Sequence, residues 1–81
     1  MKTFSRMKDV KKIFGLSRTV IYARMHAGLL TKQVRLGSRA VGWPAHEIEM
    51  IADAFVAGLS NDEIKLLVAQ LHSGRKAGDH V

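Results

Sequence analysis

Ser17, Arg18, Thr19, Tyr22 and Arg24 stand together in the stretch GLSRTVIYARMHAG, which runs from Gly15 to Gly28. They supply three hydroxyls and two guanidinium groups and no carboxylate. A guanidinium donates bidentately to the O6 and N7 of guanine, a threonine meets a thymine methyl or a phosphate, and a tyrosine hydroxyl donates to a phosphate oxygen. On a helix with Ile21 and Met25 turned inward, Arg18 and Tyr22 fall on the outer side, with Arg24 at its margin. An ordinary amphipathic helix carries solvated polar residues there, more often a mixture of Glu and Lys. The uniform donor character favours an anionic partner.

A second group of donors follows. Lys32, Arg35, Ser38 and Arg39 lie in LLTKQVRLGSRAVGW. On a β-hairpin these side chains suit a phosphate backbone or a minor groove. A plain solvated turn competes with that reading, most strongly at Lys32. Lys8, Lys11 and Lys12 read as general electrostatic contributors.

The charge supports the same division. Residues 1–40 carry ten Lys and Arg against Asp9 alone, a net of +9, whereas residues 41–81 carry three against six acidic residues, a net of −3. A basic half beside a mildly acidic half points to a face for a polyanion and a separate supporting face. A simple solubilising bias would not concentrate the basic residues on particular elements.

No catalytic constellation is legible. There is no paired-carboxylate signature, no glycine-rich phosphate loop before a helix, and no Ser/His/Asp set. His26, His46, His72 and His80 are scattered, with no i, i+4 pair on one helix, and His46-Glu47 does not extend to HExxH. The sequence predicts a non-enzymatic protein without metal or cofactor.

The elements that must position these donors can be read from caps and periodicity. Met7, Val10, Ile13 and Phe14 form the apolar stripe of a helix that starts near Ser5 and stops at Gly15. Ser17 is an N-cap, Leu16 and Ile21 form a hydrophobic staple, and the second helix runs to about Ala27 with Gly28 as its stop. Two helices joined through a tight Gly-Leu turn make a helix-turn-helix. In such motifs the N-terminal part of the second helix faces the base edges, and its free N–H groups near Ser17 can also receive a phosphate. Val34 and Leu36 alternate with Gln33 and Arg35, Gly37-Ser38-Arg39 makes a turn, and Val41 and Trp43 return, with Trp43 as anchor of the hairpin. Pro44 belongs to the first turn of a third helix, Glu47 and Glu49 complement its dipole, and Ile48, Ile51, Ala52 and Phe55 form its stripe up to Gly58. Ser60 with Glu63 makes a capping box and Leu59 with Ile64 a staple for a fourth helix. The apolar face of that helix, Ile64, Leu67, Val68 and Leu71, packs inward by default. It is also a candidate oligomer interface, or the surface of a protein-interaction adaptor.

The fold expected is mainly α: a winged helix-turn-helix with a small β-hairpin wing and a C-terminal helical hairpin. An 81-residue chain is one small domain. The domain is assigned to residues 1–73, with its core at 5–57 and its C-terminal helix at 59–73, followed by a flexible tail at 74–81. The absence of cysteine excludes disulfides and thiolate metal sites, and no apolar run approaches the ~20 residues of a membrane span. The basic start lacks an apolar signal-peptide segment. A soluble intracellular protein, with no membrane partner, is expected.

The run MKDVKKIFGLSRTVIYARMHAGLL, followed by KQVRLGSRAVGWPAHEIE, resembles the AlpA-like prophage regulators, small winged-helix relatives of the excisionase and MerR-type DNA-binding domains. The resemblance covers roughly residues 6–56 and rests on LSR-x-x-IY, the glycine at 28, V-x-LG and RAVGW in combination. It implies a sequence-specific double-stranded-DNA-binding regulator of integrase or excision genes, or an excisionase-like recombination directionality factor. It maps Ser17, Arg18, Thr19 and Tyr22 onto the recognition helix, Arg35 and Arg39 onto the wing, and Trp43 onto its anchor. Association with the bacterial nucleoid and contact with RNA polymerase or an integrase are further expectations, and the aliphatic stripe of the fourth helix offers a surface for self-assembly as a dimer or head-to-tail on DNA. Three positions depart from the family pattern, in two ways. Thr31 and Gln33 stand where prolines are frequent, and Ala23 where a basic residue is common.

Overall fold

The computed structural model describes residues 3–78, with side chains described as far as Arg75. The first element is a strand, β1 (Phe4–Ser5), and α1 (Met7–Phe14) follows it. The expected helix start at Ser5 is therefore displaced. Ser5 pairs with Trp43 in a sheet, and Arg6 becomes the N-cap, its backbone N–H donating to Asp9 Oδ2 at 2.9 Å. Val10 is the fully buried residue of α1. Phe14 packs against the core, but Ile13, expected in the same stripe, remains 50% exposed.

Gly15 ends α1 at φ 66°, a left-handed conformation that costs a residue with a Cβ about 1–2 kcal/mol. The turn it permits leads directly to Ser17. The Ser17 Oγ accepts from the Val20 N–H at 3.3 Å and caps α2 (Arg18–Ala27). Gly28 closes α2 at φ 80°, and Gly58 takes the same left-handed conformation at φ 79°.

The wing consists of β2 (Val34–Arg35) and β3 (Val41–Pro44). Val34 pairs with Gly42 and Arg35 with Val41, antiparallel. The Leu36 N–H donates to Ala40 O at 2.7 Å and closes the loop. β1 pairs with the other side of β3, giving a three-stranded antiparallel sheet in the order β1-β3-β2. A Cβ on Gly42 would come within 2.9 Å of Ser5 O and 3.0 Å of Leu36 Cδ1. Only glycine lets the central strand sit this close to both neighbours. Trp43 is fully buried, as its anchoring role requires, and its Nε1 donates to Thr31 O at 2.8 Å. A buried indole N–H needs such a partner.

Pro44 is the last residue of β3 and the N-cap of α3 (Ala45–Val56). α4 (Asn61–Gly78) begins with the expected capping box: Ser60 N–H donates to Glu63 Oε1 at 3.0 Å and Glu63 N–H to Ser60 Oγ at 3.3 Å. The first of these bonds is the main cause that holds the Glu63 carboxyl below its ordinary range.

The apolar face of α4 packs inward, the default expected for it, and the helix runs past its expected end. Ile64, Val68 and Leu71 are buried in the core with Val10, Ile21, Trp43, Ile48 and Ile51, and Leu67 packs partly buried against it. The stripe considered as an oligomer interface is thus taken up by the fold. The helix also continues beyond Ser73 to Gly78, and Arg75 is fixed by an ion pair rather than lying in a flexible tail. The remainder of the expected tail, 79–81, lies outside the described residues.

Candidate nucleic-acid interface

α2 presents its polar residues as its caps dictate. Ile21 is fully buried, Met25 packs against the core, and Ser17, Arg18 and Thr19 are exposed in and before the first turn. Tyr22 is half-buried. The Arg18 guanidinium lies 5.8 Å from the centre of the Tyr22 ring, so the two side chains share one edge of the helix. Their i, i+4 spacing brings this about.

Arg24 does not join them. Its guanidinium lies 4.8 Å over the ring of Phe55 on α3, and its Nε is buried without a hydrogen-bond partner. Phe55 also meets Phe14 edge-on, with ring centres 5.9 Å apart. The guanidinium therefore caps an aromatic pair between α1 and α3. Helical periodicity places Arg24 at the margin of the outer face and does not give the direction in which its long side chain leaves the helix.

The wing keeps Arg35, Ser38 and Arg39 exposed around the turn at residues 37–39. Leu36 is 37% exposed and lies against Gly42. Among the described residues the one ion pair joins Arg75 to Glu47, so Arg18, Lys32, Arg35 and Arg39 have no carboxylate partner.

Lys32 sits at the root of the wing, and its main chain is fastened from both sides. Its N–H donates to Nε2 of His72 at 3.0 Å. Its carbonyl accepts from Nη2 of Arg75 at 2.5 Å. The same guanidinium reaches Glu47 through Nε to Oε2 at 2.8 Å and Nη2 to Oε1 at 2.7 Å. Glu47 is fully buried, and the bidentate pair satisfies its charge. Glu47 keeps its expected place in the first turn of α3, where it complements the helix dipole, and is at the same time the buried partner of Arg75. His72 must be neutral at Nε2 to accept the Lys32 N–H. Burial holds its pKa below the ordinary 6.5, the nearby Arg75 and Lys32 lower it further, and Glu47 acts against them.

Sequence reasoning missed this clamp, although its signal was present. Glu47 lies four residues before Ile51 on the buried stripe of α3. Arg75 extends the series Ile64, Val68, Leu71 by one further turn. An acid and a base on two stripes that face one another are candidates for pairing.

The side chains of Tyr22 and Lys32 meet at a cleft that also includes Met25, His26 and Gln33. The first donor group on α2 and the root of the second group are therefore neighbours. Gln33 Oε1 and Thr31 Oγ1 are buried there and in the core without partners. No group of His, Cys, Asp and Glu capable of holding a metal occurs among the described residues, and none of the described helices is long and apolar enough to cross a membrane.

Neither the curated proteins nor the solved structures give a match. The sequence profile of the family described as "Prophage CP4-57 regulatory protein (AlpA)" matches residues 3–50, from β1 through the first half of α3. That span contains the helix-turn-helix, the wing and its tryptophan anchor, and the chain belongs to this prophage regulatory family.

Proposed function

We propose that the protein is a sequence-specific duplex-DNA-binding regulator that controls transcription of integrase or excision genes of a mobile element. In this reading α2 enters the major groove, Arg18 and Thr19 read base edges, and Ser17 and Tyr22 hold phosphates. Arg35, Ser38 and Arg39 on the wing follow the adjacent backbone, and Lys32 contributes at its root. The observation that carries the reading is the capped, exposed first turn of α2, with Arg18 stacked on Tyr22 and Tyr22 sharing a cleft with Lys32. These donors have no carboxylate partner among the described residues, and the surrounding half of the chain has a net charge of +9. Membership in a phage regulatory family supports the regulatory role. Contact with RNA polymerase or an integrase, and self-assembly on DNA, belong to the same proposal.

The burial of Leu71 in the core and the partial burial of Leu67 against it favour this reading over that of a protein-interaction adaptor. The test is titration of duplex DNA with the protein and with the Arg18→Ala/Arg39→Ala double variant. The double variant should bind about a hundredfold more weakly, with a shallower dependence of log affinity on log salt. Unchanged affinity and salt slope would contradict the proposal.

A further inference from the structure

We propose that the cleft between α2 and the root of the wing seats a phosphodiester group of the bound duplex, and that His26 is one of the residues that grip it. The inference rests on the DNA-binding reading above and adds a residue and a site that reading does not contain. Arg18, Tyr22 and His26 follow one another at i, i+4 and i+8, so they form one row along the edge of α2. Arg18 and Tyr22 are already in contact along that row. His26 is exposed in the last turn, where the helix dipole favours a cation. Across the cleft stands Lys32.

Three donors of different kinds thus line one concavity: a phenol, an imidazole and an ammonium. Met25 supplies an apolar wall, Gln33 completes the lining, and no carboxylate takes part. Such a set suits an anion whose oxygens accept several hydrogen bonds. The cleft volume of about 320 Å³ has room for a phosphate and the sugar oxygens beside it.

The backbone of Lys32 gives the second reason. A surface lysine normally loses much conformational freedom when it grips a ligand. Here its N–H is held by His72 and its carbonyl by Arg75, so the side chain leaves from a fixed point. A seat prepared in this way sets the register of the protein on the duplex, as backbone contacts do.

A phosphate against His26 stabilises the imidazolium, so binding takes up a proton. The charged and titratable groups that line the cleft with it are Tyr22 on its own helix and Lys32 across it; Lys65 of α4 packs beside Gly28 at the helix end, and His72 and Arg75 of α4 lie behind the Lys32 backbone. Protonation of His72 acts in the opposite direction, because it removes the acceptor that holds Lys32. The two histidines are therefore separated by the sign of their effect.

The test measures binding of the full chain and of His26→Gln to a mixed-sequence duplex spanning about three helical turns. Affinity is taken against salt at about pH 6 and about pH 8, across the range in which histidine titrates. The native protein should bind several-fold more tightly at the lower pH, and His26→Gln should lose or reverse that difference. At the lower pH its salt slope should also be smaller by about 0.9, one phosphate contact. If His26→Gln keeps the native slope and pH profile, the phosphate seat is overturned while DNA binding stands. If the native protein does not bind the duplex even at low salt, the DNA-binding reading fails and the seat fails with it.

Discussion

Glu47 and Arg75 show how much depends on single side chains in a domain of this size. A fully buried carboxylate is tolerable only while its partner remains, and Arg75 also holds the carbonyl of Lys32. Arg75→Ala should cost about 3 kcal/mol of stability, measured by urea denaturation, because it leaves an uncompensated buried charge. A double variant with Met at both positions should recover much of that loss, since a well-packed apolar pair needs no counter-charge. Trp43→Phe should cost about 1 kcal/mol or more through loss of the bond to Thr31 O and part of the ring's packing. At this scale the sequence was partly legible. The anchor at Trp43 followed from a lone tryptophan on a return strand that needed something to pack against. The direction of Arg24 toward Phe55 did not, because periodicity assigns a residue to a sector of the helix and says nothing about where a long, flexible side chain finds its aromatic partner.

The elements were most legible where their ends are fixed by local chemistry. Gly15, Ser17 and Ser60 with Glu63 fix helix ends through bonds spanning a few residues, and each does so in the structure. β1 was not legible. Two residues have no periodicity of their own, and Phe4–Ser5 become a strand only because β3 offers an edge and Gly42 allows the approach. The continuation of α4 past Ser73 has the same kind of cause. Its local sequence, SGRKAG, argues against a helix, and the pairing of Arg75 with Glu47 outweighs that preference.

The root of the wing carries a pH prediction. The fold holds His72 neutral with its pKa lowered, and unfolding returns it toward 6.5. Its contribution to stability is intact above 6.5 and is lost as pH falls below that value through the folded pKa. Urea midpoints should therefore decline between neutral and mildly acidic pH. The decline should be weaker in His72→Gln, whose side-chain oxygen can accept the Lys32 N–H at any pH. An equal decline in both proteins would show that His72 is not the responsible group. The wing itself should behave as a backbone contact. Arg39→Ala should weaken binding alike for all duplexes, whereas Arg18→Ala should relax preference at one base position, a distinction read by comparing recovered motifs.

The whole molecule divides its labour along the chain. Residues 1–40 supply nearly all the positive charge, and the helical hairpin of α3 and α4 supplies most of the buried apolar residues and the clamp beneath the wing. In the proposed function Lys32 would couple stability to recognition, since α4 fastens its main chain while its side chain stays exposed. The measurement that tests the account most directly is affinity selection from a random duplex library at near-physiological salt. The account predicts a recovered motif that survives this salt, altered at one position by Arg18→Ala. Closely spaced direct repeats would indicate head-to-tail assembly, and an inverted repeat a symmetric dimer at a promoter. If no motif is enriched, and binding to every duplex vanishes with a modest rise in salt, the base-reading role of Arg18 and Thr19 is contradicted.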